Sequence, residues 1–146
     1  MKVVKFGGSS LADDARFQSV AAIIGEQTTT STITAILSAP KGVTNTLVAL
    51  CDESQKGHCY VEQLQGLRQH LHQIMEQAGF AQSPKLVNNI DQTLDAIGKR
   101  LEGVKLLQHC PDHVRAFVIS RGEVFSVLLM AEYRATQSIS SQVLDP

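Results

Sequence analysis

The first ten residues constrain this 146-residue chain more than any later stretch. Val3-Val4-Lys5-Phe6 reads as a short apolar strand, and Gly7-Gly8-Ser9-Ser10 follows it directly. A helix signal begins immediately afterwards. Two adjacent glycines carry no Cβ, so their N–H groups can approach a bulky anion closely. Successive free N–H groups at a turn and a helix start form a cradle for such an anion. Lys5 adds a positive charge beside it, and burying a charge among Val3, Val4 and Phe6 needs a compensating reason. The stretch therefore carries the parts of a phosphate-handling site. Its spacing is neither G-x-x-x-x-G-K-[ST] nor G-x-G-x-x-G. The plain alternative is an ordinary strand-to-helix turn, with Lys5 snorkelling to water.

Along the chain, apolar runs and helical periodicities alternate. Residues 2–6 read as a buried strand. Ser10-Leu11-Ala12-Asp13 fits a helix start with a hydroxyl cap and an acid three residues on. Phe17, Val20, Ala21 and Ile24 recur at helical spacing, and Gly25 is a candidate stop. Residues 32–38 read as a second strand, and Pro40 and Gly42 mark a loop over 39–43. Thr44 can cap a helix carrying Leu47, Val48 and Cys51. Leu64, Leu67, Leu71, Ile74, Met75 and Ala78 trace one amphipathic face. Leu86, Ile90, Leu94, Ile97, Leu101 and Val104 trace another, with Ser83 as cap and Pro84 at its first position. Gly98 and Gly103 should weaken or bend that helix late. Residues 60–108 thus read as an inserted helical hairpin. A strand at 114–120, a helix at 122–135 and a last strand near 140–144 complete the pattern, with Ser141 to Pro146 as a strand that has just ended. Such alternation indicates an α/β domain with a largely parallel sheet. On this reading Lys5-Gly7-Gly8, Ser38 and Arg121-Gly122-Glu123 each follow a strand and precede a helix. Ligands of open parallel sheets bind outside the carboxyl ends of the strands, so the three clusters should share one crevice.

Composition excludes several classes. The formal net charge is −1, with scattered Lys and Arg, so no nucleic-acid footprint is expected. No apolar run approaches a membrane span, and no leader pattern precedes the first strand. Apolar residues at 43% support a real core, and charged residues at 18% argue against disorder. Cys51, Cys59 and Cys110 have irregular spacing, which suits free thiols in a reducing cytoplasm. His58-Cys59 and His109-Cys110 suggest metal dyads, but adjacent ligands are poor spacing, and no metal site is expected. His70 and His72 do not share a helix face.

Lys5-Phe6-Gly7-Gly8-Ser9-Ser10 resembles the opening signature of aspartokinases, within the amino acid kinase superfamily. The family form has Thr where this chain has Ser9, a change that keeps the hydroxyl. Leu37-Ser38-Ala39-Pro40-Lys41-Gly42-Val43-Thr44-Asn45 is similar to the second family block, and Ser120-Arg121-Gly122-Glu123 to the third. Leu107-Gln108-His109-Cys110-Pro111-Asp112 looks most like the bifunctional aspartokinase–homoserine dehydrogenase type. The resemblance implies a three-layer αβα amino-acid-kinase fold. This chain would be its N-terminal, amino-acid-binding part, cut before the nucleotide half.

The implied reaction is ATP plus L-aspartate giving ADP and 4-phospho-L-aspartate, the step that opens lysine, threonine and methionine biosynthesis. The resemblance assigns Lys5 the catalytic role. Gly7, Gly8, Ser9 and Ser10 would hold the ATP phosphates, and Ser38, Thr44 and Glu123 would hold aspartate. It also implies Mg²⁺ on the phosphates, NADP only if a dehydrogenase domain follows, a cytoplasmic setting, and a homo-oligomer in the full-length form. The fragment alone should be inactive. Rival readings are another kinase of the superfamily, a non-catalytic amino-acid- or nucleotide-binding module, and an interaction domain built on the hairpin.

Overall fold

The structure, a computed structural model, describes residues 1–144. Strand β1 (Lys2–Phe6) leads into a 3₁₀ turn (Gly8–Leu11), helix α1 (Asp14–Thr28) and strand β2 (Ile33–Leu37). Helices α2 (Val43–Gln55), α3 (Val61–Gln77), α4 (Pro84–Leu107) and α5 (Asp112–Thr136) follow. The strands pair in parallel, with Lys5 opposite Ile36 and Phe6 opposite Leu37. The domain is α/β with a parallel sheet, and α1 is its crossover.

Side chains alternate across a strand, so the register sorts the sheet into two faces. Val4, Phe6, Ala35 and Leu37 share the face toward the helices, where Leu37 joins the core and Phe6 and Ala35 pack against it. Val3, Lys5 and Ile36 stand on the other face, where Val3 is 59% and Ile36 50% exposed. β1 is thus half-buried rather than buried. The described residues supply the sheet and the helical layer on one side of it; the other side is bare.

The hairpin follows the sequence pattern closely. Leu86, Ile90, Leu94, Ile97, Leu101 and Val104 are all buried on α4, and Leu67, Leu71, Ile74 and Met75 on α3. The two glycines do not interrupt α4. Gly98 instead gives close approach: a Cβ there would lie 3.3 Å from Leu64 Cδ2. Arg68 bridges Asp91 and Asp95 across the pair, and His72 Nε2 lies 2.9 Å from Asp91 Oδ1.

Other expectations need correction. No strand forms at 114–120, because those residues are the first turns of α5. The run Val114, Phe117, Val118 and Ile119 resembles a strand locally. However, Val118, Gly122, Phe125, Leu129 and Tyr133 are buried at helical spacing, and burial of that stripe decides the conformation. Residues 140–144 have no regular secondary structure and leave the outer edge of β2 unpaired among the described residues. Asp145 and Pro146, the end of the expected last strand, lie outside the described residues. Asp13, not Ser10, caps α1, its carboxylate accepting from the Arg16 N–H at 3.0 Å. Gly25 lies inside α1, where Arg134 crosses: a Cβ at Gly25 would meet Arg134 Nη1 at 2.9 Å. Gly42 precedes α2 with φ +86°, a left-handed conformation that favours glycine, so Thr44 is inside the helix and not its cap.

Candidate active site at the strand ends

β1 and β2 end side by side, and their register brings the first two motifs together. The Ser38 N–H donates to the Phe6 carbonyl at 3.0 Å, continuing the pairing one residue past β2. Ser38 therefore lies against the junction of Phe6 with Gly7. The Ser10 N–H donates to the Gly7 carbonyl at 2.9 Å and closes the glycine turn. The N–H groups of Gly7, Gly8 and Ser9 donate to no acceptor among the described residues. Unmatched donors are normal at a helix start, and they point where an anion can be held. Ser9 is exposed, with its carbonyl accepting from Arg16, while Ser10 is half-buried. Lys5 is exposed on the bare face, beside Ile36. It is not buried among its apolar neighbours, so the cost that would demand a compensating anion is absent.

The third motif reaches the same place by a different route. Arg121-Gly122-Glu123 lies in the interior of α5, not at a strand end. A Cβ on Gly122 would fall 2.7 Å from Ala39 Cβ, so α5 sits directly on the residue after Ser38. Gly8 approaches Ala39 as well: a Cβ there would be 2.9 Å from the Ala39 carbonyl oxygen. All three motifs thus meet at Ala39, through two glycines. Neither Gly8 nor Gly122 has a positive φ, so packing rather than backbone conformation calls for glycine at both.

A groove of about 640 Å³ runs along the open edge of β2 between α4 and α5. Glu123, Arg121 and Phe117 line it, together with Ile36, the register partner of Lys5. Lys5, Ser38 and Thr44 do not line it. The Arg121 guanidinium stacks on Phe117 at 4.5 Å from the ring centroid, and Arg100 lies 3.5 Å from the same centroid. Thr44 is exposed in the first turn of α2.

Sequence reasoning missed two participants. Ala39 has no polar signal, and its role as the meeting point rests on contacts distant in sequence. Lys41 is exposed, and its backbone lies 4.0 Å from the Cβ position of Gly8, so the strand-end loop that carries it runs beside the glycine turn. Its position between Pro40 and Gly42 in the strand-end loop was the available clue. No group of three or more His, Cys, Asp or Glu able to hold a metal occurs among the described residues. No described helix is long and apolar enough to cross a membrane.

A parallel sheet with a glycine turn, a lysine and N–H groups that meet no acceptor among the described residues at its strand ends defines an α/β protein of the open parallel-sheet class. The chain belongs to the amino acid kinase family, whose model matches residues 1–146. It is 32% identical over 151 residues to the bifunctional aspartokinase/homoserine dehydrogenase of Buchnera aphidicola subsp. Acyrthosiphon pisum (strain APS), covering 100% of this chain and 18% of that protein. The corresponding protein of Haemophilus influenzae (strain ATCC 51907 / DSM 11121 / KW20 / Rd) is 27% identical over 150 residues, with the same coverage of 100% and 18%. Among solved structures, E. coli aspartokinase III in complex with aspartate and ADP matches with a TM-score of 0.78 at 27% identity, covering 96% of this chain and 30% of that one. The chain thus spans less than a fifth of the curated relatives it resembles.

Proposed function

We propose that this chain is the N-terminal, amino-acid-binding part of an aspartokinase catalytic domain. The whole protein would transfer the γ-phosphoryl group of ATP to the side-chain carboxylate of L-aspartate. A carboxylate oxygen attacks the γ-phosphorus, the bond to the β-phosphate oxygen breaks, and ADP and 4-phospho-L-aspartate leave. The reading is carried by the convergence of the three motifs on Ala39. It is supported by the likeness to aspartokinase III, whose solved complex contains aspartate and ADP.

The nucleophile belongs to the substrate, so the protein's task is to bring two anions into line and offset their repulsion. Lys5 offsets charge developing on the transferred oxygens. The Gly7, Gly8 and Ser9 N–H groups, with the Ser10 hydroxyl, hold phosphate oxygens. Ser38 and Thr44 orient the substrate side-chain carboxylate, and Glu123 takes its ammonium. Magnesium is held mainly by substrate phosphates in such enzymes and would neutralise them here. The product would enter lysine, threonine and methionine biosynthesis in the cytoplasm, from a homo-oligomeric enzyme. NADP would bind only to a dehydrogenase domain elsewhere in a longer chain.

The deciding experiment measures aspartate-dependent ADP formation by the whole protein and by its Lys5→Ala variant. The whole protein should turn over and the variant should lose kcat. Ligand binding without turnover would favour a sensor module instead. Residues 1–146 alone should form no ADP, and measurable formation would refute that part of the reading.

A further inference from the structure

We infer that Gly122 is a positioning residue, whose missing methyl group lets α5 close on Ala39 and so fixes where Glu123 stands relative to Ser38. The inference rests on Ser38 and Glu123 binding the amino-acid substrate as proposed above.

Glycine inside a helix is a liability relative to alanine. Gly122 is buried within α5, and its φ is not positive, so the backbone does not require glycine there. What it supplies is proximity. An alanine Cβ at 122 would lie 2.7 Å from Ala39 Cβ, 3.5 Å from Leu47 Cδ1 and 3.7 Å from Val43 Cγ1. The last two are ordinary contacts, and the first is not. Carbon atoms settle at about 3.5–4.0 Å, so one added methyl requires a retreat of about 1 Å. Ala39 is poorly placed to give way. It is buried, and its carbonyl is closely approached by Gly8. The displacement therefore falls on α5 and carries Glu123, the next residue, with it. A misplacement of about 1 Å at a binding geometry can cost on the order of 100-fold.

The clash is between two methyl groups, so moving one to the other partner should cancel it. The test is steady-state kinetics on the whole protein, comparing Gly122→Ala, Ala39→Gly and the double variant. Gly122→Ala should raise KM for aspartate about 10- to 100-fold. KM for ATP should hold, because the glycine turn is untouched. The double variant should return KM for aspartate to within about threefold of the parent, by the additivity failure expected of contacting residues. A merely structural role would reduce the amount of folded enzyme and hence the apparent kcat, leaving KM unmoved. An unchanged aspartate KM in an active Gly122→Ala enzyme overturns the inference while the kinase reading stands. So does a folded double variant that stays impaired. A parent protein with no aspartate-dependent ADP formation overturns both.

Discussion

Gly7 and Gly8 are neighbours in sequence, yet the structure makes opposite demands of them. Gly7 precedes the 3₁₀ turn with φ −80° and ψ 166°, an extended conformation that any residue adopts. A Cβ there would meet nothing within 4 Å. Replacing it with alanine restricts the unfolded chain, a gain of about 0.4–1 kcal/mol. Alanine is also a poorer helix-start residue than glycine, which offsets part of that gain. Gly7→Ala should therefore change stability by less than about 0.5 kcal/mol. At Gly8 the same methyl would lie 2.9 Å from the Ala39 carbonyl oxygen, a backbone atom that cannot swing aside. Overpacking of this kind costs about 1–3 kcal/mol, so after the entropic gain Gly8→Ala should lose roughly 1–2 kcal/mol. For a chain of this size that is a fall of about 2–8 °C in thermal midpoint.

The fold does not need glycine at position 7. If close approach of phosphate is its purpose, Gly7→Ala should leave the melting curve nearly unchanged and weaken ATP binding in the whole enzyme. Losing one charge-assisted N–H contact costs about 1.5–3 kcal/mol, which is about a 10- to 100-fold rise in KM for ATP. Thermal denaturation by circular dichroism, paired with initial rates at varied ATP, reads both effects. A Gly7→Ala enzyme with the parent's ATP kinetics would refute the cradle at this position. A destabilised Gly7→Ala would show that the packing around the turn has been misread.

Arg134 is 3% exposed and donates to the Ala21 carbonyl at 3.1 Å, Gln137 Oε1 at 2.7 Å and Thr28 Oγ1 at 3.4 Å. It ties the ends of α1 and α5 together, and Arg134→Met should cost roughly 2–3 kcal/mol through the acceptors left unmet; a denaturant midpoint equal to the parent's would contradict this. Burial, with adjacent Cys110 next, pushes the Cys51 thiol up to about 12. Burial, followed by the hydrogen bond to Glu102, pushes the Tyr60 phenol up to about 12, and burial likewise raises Tyr133. The folded chain keeps these protons at pH values where the unfolded chain has lost them. Their stabilisation is therefore complete below the ordinary thiol and phenol values and drains away as pH rises toward about 12. Melting midpoints should fall through that alkaline range, and Tyr60→Phe should flatten the fall; a flat profile in the parent would refute the assignment.

Where elements bury one clear stripe, the sequence alone was enough. The apolar faces of α3 and α4 repeat at helical spacing over many turns, so the hairpin was legible from periodicity. β1 and β2 were legible because each is a short apolar run ended by glycine or proline. The start of α5 was not, because Val114, Val118 and Ile119 are β-branched and Gly122 looks like a breaker. The information that settles the matter is tertiary: Gly122 must be small to pack on Ala39, and the stripe from Val118 to Tyr133 must face the core. The strand expected at 140–144 fails for a related reason, since a strand needs a paired edge and that segment pairs with nothing among the described residues. The placing of Lys5, Gly7, Gly8 and Ser38 at neighbouring strand ends was legible because each follows or ends a short apolar run. Ala39 was not, since an alanine carries no chemical signal.

Placing Glu123 inside a helix, rather than at a strand end, changes what controls it. A carboxylate on a loop would be aimed by local backbone bonds. On α5 it is aimed by the roll of a 25-residue helix against its neighbours. Besides its buried stripe, that helix has three specific ties to its neighbours. Near its start, Arg115 Nη2 donates to Asp52 Oδ1 on α2 at 2.7 Å. Near its end, the Tyr133 hydroxyl donates to Asp14 on α1, and Arg134 reaches Ala21. Between them Gly122 sits on Ala39. The first tie is a partly exposed ion pair, worth about 0–1 kcal/mol, and α5 can shift slightly while keeping it. The tie at Tyr133 and Arg134 is stronger but lies about three turns from Glu123, given about 3.6 residues per turn. Of these three, the middle contact is both close to the carboxylate and intolerant of a single methyl group. Arg115→Ala should therefore lower stability slightly and leave aspartate kinetics intact, whereas Gly122→Ala should raise the KM for aspartate as well as overpack the contact with Ala39. An Arg115→Ala enzyme with a raised KM for aspartate would show that the helix is steered from its end, against this account.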